Sequence, residues 1–470
     1  MKSLRTASNL WLQQVKKTVI SHRGQQAVNQ GLRWHLDYPS LECPPWLNQN
    51  GWVVQGWVLL PPSLSKSMED VRVIACWNSV FELCHPLSLE RPDVIEAVLG
   101  EDPAKHPQLR CGFRFTVPHQ LTTCTLEICV NGERIPLPIV SMPELPESDG
   151  AEVAPLKVLE GKANWLFLDN DTNGSVDQYR GRLLLTDEGV KGWQRYLKDF
   201  HALAEKHGAA SAVLVAPAKE SVMGPRYHPY AEGAGGPIQQ LLALPEALVL
   251  VYPVQALMAL GDDAFIQTDT HWTQQGAMAA SKVLAAALGL DEWAVENTFV
   301  DDEYGERSLT GDLGSKLKPE RTCRINSLRT FNYHQYRCFD NGLPNFGRLI
   351  VLANGKALMP GTCLIFGSSS SYSMFNYVSR LFKRVVFVHS AGNLDPEVVK
   401  AVQPEFLVAQ TNARFVVQVP RASCSLQALI AEKKACLSEE EIMMVAKRRI
   451  DVETHNPIIS SLGLSPWIVT

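Results

Sequence analysis

The chain contains no apolar run of about 18 residues, the length needed to span a bilayer, and none of its cysteines has the Cys-x-x-Cys spacing of a zinc or redox site. It also lacks a strong excess of either charge. Its 44 basic and 49 acidic residues leave a net charge of −5, which argues against wholesale nucleic-acid binding, because phosphate recognition needs a basic face. No internal repeat or low-complexity tract occurs, and 46% hydrophobic against 20% charged residues excludes disorder along the whole chain. A length of 470 residues predicts two or three domains, each able to bury its own core without disulfides or metals. Eleven cysteines, an odd number, read as thiols of a reducing compartment. The basic start, MKSLRTASNLWLQQVKKTVISHRG, interrupts its apolar positions too often for the hydrophobic core of a signal peptide, so a cytoplasmic protein is expected. Leu4, Trp11, Leu12, Val15 and Val19 can line one face of an amphipathic helix, docked on the protein itself or on a membrane surface.

What is present falls into two patterns. Between about Gly51 and Val140, short apolar runs (Trp52 to Leu60, Val71 to Trp77, Gly112 to Val117, Leu126 to Val130) alternate with Pro, Asn and Gly clusters, and Asn131-Gly132 marks a hairpin turn. This predicts a small antiparallel β-sandwich within residues 1–145, followed by a proline- and acid-rich linker from Ser141 to Gly150. From about residue 155, strands such as Ser211 to Ala216, Leu248 to Tyr252, Cys363 to Phe366, Arg384 to Val388 and Glu405 to Val408 alternate with helices at Trp193 to His207, Gln274 to Leu288 and Tyr372 to Phe382. That alternation predicts a doubly wound α/β domain over 151–425 with a mostly parallel sheet, whose chemistry sits at the carboxyl ends of its strands. Ser438 and Glu441 form a capping box for a helix in a C-terminal appendage, 426–470.

Two segments carry candidate chemistry. In Asp269-Thr-His271 the two side chains of an extended backbone project to one side, so Asp269 can accept the Nδ1 proton of His271 and leave Nε2 as a general base. A histidine near a helix start is also commonly structural, and no further His, Glu or Cys cluster supplies a metal site. In Leu364-Ile-Phe-Gly367-Ser368-Ser369-Ser370-Ser371, a buried strand ends in a Gly-Ser turn that opens a helix. A serine there stands at the sheet edge beside free amides able to stabilise an oxyanion, although the same run can simply cap a helix. Lys219, Tyr372 and Arg414 are candidate pocket residues, with ion-paired or solvated roles as the alternative.

Together these segments resemble the SGNH-hydrolase-like polysaccharide O-acetyltransferases of the alginate AlgX/AlgJ type. The resemblance spans about residues 155–420 and rests on five segments in order: Gly161-Lys-Ala-Asn-Trp165-Leu-Phe-Leu-Asp169, Ala216-Pro217-Ala-Lys219-Glu220, Asp269-Thr-His271-Trp272-Thr273 with Gly276-Ala277, Gly367-x-Ser369, and Val408 to Phe415. It implies an SGNH-like domain with Ser369 as nucleophile, His271 as base and Asp269 as orienting acid. Ser368 stands where many SGNH enzymes have Asp, and the serine run leaves Ser368 and Ser370 as secondary candidates. Asn412 and the Ser369 amide are the oxyanion candidates. The implied activity is O-acyl transfer, most simply O-acetyl, to a bacterial glycan or sugar precursor through an acyl-serine. A carbohydrate esterase with the same triad and an inactive glycan-binding scaffold are the alternatives. No bound cofactor or metal is implied; acetyl-CoA or another acyl donor would be a co-substrate, with a peripheral membrane or glycan-assembly partner conceivable and no nucleic acid. Gly56-Trp57, Arg91-Pro92-Asp93-Val94 and Cys111-Gly112-Phe113 resemble small β-sandwich modules of bacterial glycan-processing enzymes. There Trp52, Trp57 and Trp77 would be either a sugar-stacking platform or core.

Overall fold

A computed structural model describes residues 31–40, 46–48, 51–61, 65–142, 157–450 and 457–468, so the helix expected near Leu4 to Val19 and most of the linker lie outside the described residues. The chain divides into two compact units, residues 1–153 with 182–184, and residues 154–181 with 185–470.

The first unit is a sandwich of two antiparallel sheets. One contains Arg33–Tyr38, Leu47–Asn48, Gly51–Leu59 and Gly112–Val117; the other contains Arg72–Cys76, Phe81–Pro86, Thr123–Val130, Glu133–Pro136 and Val140–Ser141, with Leu183–Leu185 along its edge. Period-2 burial along Thr123–Val130 turns Cys124, Leu126, Ile128 and Val130 inward, where they meet Val54, Val58, Phe113 and Phe115 of the facing sheet. Asn131 and Gly132 adopt positive φ (51° and 83°) and close the Val130/Glu133 pair, as an Asn-Gly hairpin requires. Trp52 and Trp57 are 4% and 1% exposed, and Trp77 is half-buried edge-on against Phe81, so these tryptophans are core residues and not a sugar platform. Arg91, which opens the Arg-Pro-Asp motif, pairs with Asp37 at 2.7 Å and Asp93 at 2.8 Å and so ties the module together.

The second unit carries a seven-stranded sheet made of β1 (Ala210–Ala216), β2 (Leu250–Val251), β3 (Arg337–Asp340), β4 (Leu349–Ala353), β5 (Met359–Gly367), β6 (Phe382–His389) and β7 (Phe406–Asn412), in the order β2-β1-β7-β5-β6-β4-β3. The first five in that order are mutually parallel, and β4 runs antiparallel to both of its neighbours, β6 and β3. β5 and β7 are almost wholly buried, which explains their continuous apolar runs. Helices α1 (Asp187–Lys206), α2 (Lys219–Tyr227), α3 (Gln274–Ala287) and α4 (Ser371–Leu381) accompany the sheet, and Thr186 and Thr273 cap α1 and α3 by accepting from Gly189 N and Gly276 N. α3 and α4 pack together through Ala277, Ala280, Leu284, Phe375 and Val378. The run Leu248 to Tyr252 yields only a two-residue strand, because Pro245 starts a 3-10 turn that carries Leu248 into solvent at 96% exposure. The capping box of Ser438 and Glu441 is formed, at the start of the helix Glu439–Arg448. Among the described residues no helix is long and apolar enough to cross a membrane.

Candidate active site

The serine turn follows β5, Asn412 ends β7, and Lys219 opens α2 just past β1, so the carboxyl edge of the sheet gathers the segments singled out in the sequence. The Asp-Thr-His segment arrives from a tight loop held by the Phe265/Trp272 bridge and by Ile266 N donating to His271 O at 3.1 Å. Asp269 Oδ1 lies 2.7 Å from His271 Nδ1 and also accepts from His271 N at 2.8 Å; His271 Nε2 lies 3.0 Å from Ser369 Oγ. Burial works against ionisation of Asp269, but the hydrogen bond and charge of His271 outweigh it and hold the carboxyl at about 2. Burial likewise disfavours the imidazolium, yet Asp269 and then Asp312 overcome it, so the His271 pKa is raised.

Asp312 belongs to the site although nothing near it in the sequence marks it. It accepts from Thr270 N and Oγ1, its own N–H donates to Asp269 Oδ2 at 2.9 Å, and its Oδ2 stands 3.8 Å from His271 Nδ1. Gly311 makes that approach possible, since its φ is 75° and a Cβ would lie 2.3 Å from Thr268 O and 2.8 Å from Asp269 Cβ. Asp269, His271 and Asp312 bring ligand-type atoms within 4.8 Å of one another, a spacing a metal could use, but hydrogen bonds among the three account for it.

Lys219 is 3% exposed, and its ammonium donates to the carbonyls of Ile266, Gln267 and Asp269 at 2.7, 2.9 and 3.0 Å. It therefore pins the histidine loop and has no donor left for a ligand, although its side chain lies against the cavity beside His271. Burial pulls the ammonium down to about 7, while the faces of Trp165 and Phe167 lie 5.0 and 5.5 Å from it. Trp272 ties the same loop to α4, its indole N–H donating to Ser373 Oγ at 2.7 Å.

The register of the serine run is set by its partners. Ser368 and Ser371 hydroxyls donate to Gln410 Oε1 at 2.9 and 2.8 Å, and the Ser370 hydroxyl donates to Asn412 Oδ1 at 2.8 Å. Ser369 is the one of the four whose hydroxyl meets His271 and is only half-buried, whereas Ser368 and Ser370 are buried and turned to other partners. Gly367 lets this turn close, since a Cβ there would lie 2.5 Å from Ser371 Oγ and 2.7 Å from the Phe387 ring. Among the described residues no group accepts from the backbone N–H of Ser369 or Ser370, so there both amides at the start of α4 are free donors.

Among the described residues, one cavity lies beside His271 and another beside Ser369. The smaller one is lined by Thr270, His271, Ser370, Asn412 and Arg414, and the larger, a cleft of about 720 Å³, by Ser369, His389, Phe346, Phe415, Arg414 and Arg421 among others. Arg414 borders both; among the described residues no hydrogen bond or ion pair engages its guanidinium, which rests on the Phe415 ring and whose charge acts on the buried Glu220 carboxyl. Tyr372, expected in the pocket, lines neither cavity. Its hydroxyl pairs with His389 Nδ1 at 2.9 Å, and burial pushes that imidazole down to about 3, which makes it a neutral wall residue.

Residues 158–350 match the family model described as the SGNH hydrolase-like domain of acetyltransferase AlgX. That segment is an AlgX-type SGNH hydrolase-like domain. The match takes in Lys219, Asp269, His271 and Asp312 and stops short of the serine turn. Similar solved structures include the O-acetyltransferase domain of Pseudomonas putida AlgJ, at 14% identity and TM-score 0.34 over 62% of this chain and 100% of that one. Bacillus cereus PatB1 is 11% identical with TM-score 0.40 over 58% and 98%, and Pseudomonas aeruginosa AlgX is 15% identical with TM-score 0.35 over 56% and 63%. At scores this low they add no argument to the AlgX-domain match. No curated protein matches the chain significantly.

Proposed function

We propose that this protein is an O-acyltransferase, most simply an O-acetyltransferase, that moves an acyl group to a hydroxyl of a bacterial glycan or sugar precursor. The observation that carries the reading is the unbroken relay from Asp269 through His271 to Ser369, at 2.7 and 3.0 Å, beside an open cleft. The Ser369 oxygen attacks the acyl carbon while its proton passes to His271 Nε2, and Asp269 holds the imidazole in the tautomer with Nδ1 protonated. The Ser369 and Ser370 amides and Asn412 Nδ2 receive the negative oxygen of the tetrahedral intermediate. His271 then returns its proton to the leaving group, which departs and leaves an acyl-serine. An acceptor hydroxyl gives its proton to His271 Nε2 and takes the acyl group, and that proton restores Ser369.

The donor is an activated acyl compound such as a thioester, acetyl-CoA among them, and the free guanidinium of Arg414 is suited to hold oxygen atoms of either substrate. Hydrolysis uses the same triad with water as acceptor. Transfer wins only if the cleft holds an acceptor hydroxyl at the acyl carbon, an advantage worth about 10⁵ M or more of effective concentration against water. The test is to supply p-nitrophenyl acetate with a panel of glycans and follow p-nitrophenol and acetylated sugar by mass spectrometry. Slow ester cleavage alone, diverted to sugar by a suitable glycan, is expected. Acyl flux that goes to water whatever the glycan would make the protein an esterase.

A further inference from the structure

Buried hydrogen bonds behind the serine turn determine which way two side-chain amides point. The backbone N–H of Ser368 can only donate, so Gln410 must turn Oε1 toward it, at 2.7 Å. The Ser371 hydroxyl and, in part, the Ser368 hydroxyl donate to the same oxygen. Gln410 Nε2 must then donate at the other end, and it meets Thr411 O at 2.8 Å and Asn412 Oδ1 at 3.1 Å. Asn412 is thereby obliged to turn its oxygen inward, where it also receives the Ser370 hydroxyl at 2.8 Å. Among the described residues no acceptor meets its Nδ2, and the residue lines the cavity that His271 lines. Gln410 is 1% exposed and touches no cavity beside the nucleophile, so any effect it has on the reaction passes through its neighbours.

We infer that Gln410 is a positioning residue that, by fixing the Asn412 amide, aims Asn412 Nδ2 into the site as an oxyanion donor and anchors the turn bearing Ser369. The inference rests on the acyl-serine reading above. It explains a costly arrangement: two amides and three hydroxyls buried together are tolerated only if each is satisfied, and one N–H₂ group has been left over on the side facing the chemistry. A glutamate at 410 would still accept from Ser368 N and Ser371 Oγ but could not donate to Asn412, and its negative oxygen would draw Asn412 Nδ2 inward, away from the cavity.

The test compares wild type, Asn412→Asp, Gln410→Glu and the double variant on p-nitrophenyl acetate, with thermal melting to measure the folded fraction. Asn412→Asp keeps the accepted hydrogen bonds and puts a charged acceptor in place of the free donor. Each single variant should lower kcat per folded molecule about 10²-fold or more with KM little changed, the usual loss for one oxyanion donor. The double variant, in which the two facing carboxyls share one proton, should lose no more than the worse single, because both changes act on the same oxyanion donor. Wild-type kcat in Gln410→Glu, or a double variant that loses the product of the two effects, would overturn the inference. If Gln410→Glu does not fold, Asn412→Asp decides, and near-normal turnover there overturns it equally. Failure of the acyl-serine reading would look different: the wild-type protein itself would form no acetyl adduct on Ser369.

Discussion

Asp269 does two things with one oxygen, fixing the backbone of His271 and the tautomer of its ring. Replacing it by asparagine keeps the size and removes the charge, and an amide can offer its N–H₂ to Nδ1 and so select the wrong tautomer. Asp269→Asn should therefore retain the fold while ester turnover falls about 10⁴-fold, measured on p-nitrophenyl acetate with circular dichroism as the folding control. The pH dependence follows from the raised pKa of His271. The base must be neutral, so kcat/KM should rise with pH through a midpoint above the ordinary 6.5 and be lost as pH falls below it. Asp312 contributes to that elevation from 3.8 Å, so Asp312→Asn should move the acid limb of the profile to lower pH. An unmoved limb would mean that Asp312 serves only to hold the loop.

At the scale of elements, the site depends on a strand-turn-helix and a pinned loop, and each has a residue that sets it. Gly367→Ala should cost about 1–3 kcal/mol in urea unfolding and lower turnover as well, since the added carbon would force Ser371 or Phe387 to shift. Lys219→Met leaves three loop carbonyls without their donor; a loss of about 1–3 kcal/mol or more is expected, with kcat falling because the His271 loop loosens. These elements were legible in the sequence to different degrees. β5 with α4, β7, and α3 with its Thr273 cap stand out because their apolar runs and caps are local signals. The resemblance points to Ser369, but the residues alone do not separate the four serines, because the groups that hold the other three hydroxyls, Gln410 and Asn412, lie about forty residues on. Asp312 escaped for the same reason: a Gly-Asp pair 43 residues from Asp269 becomes part of the relay only through a backbone N–H. The hairpin Tyr304–Leu309/Cys323–Leu328 and the strand Arg33–Tyr38 were missed because their polar residues mask the alternation of partly covered strands.

At the scale of the molecule, the first unit is not a simple N-terminal attachment, because the strand Leu183–Leu185 returns to its second sheet beside Phe81–Pro86. Cutting after residue 153 would leave that strand without its neighbours and uncover Leu183, which is 2% exposed. A chain beginning at residue 154 should therefore aggregate more than the full protein in light scattering, and a double substitution of Leu183 and Leu185 by Thr should relieve it. In the intact chain the proposed chemistry turns on one hydroxyl, Ser369, and its base, His271. Treating the full protein with a fluorophosphonate and mapping the adduct by peptide mass spectrometry tests it most directly. A single labelled residue, Ser369, is expected, with loss of that label in His271→Ala, where nothing is left to take the proton. A label on another serine, or equal labelling of Ser369 without His271, would contradict it.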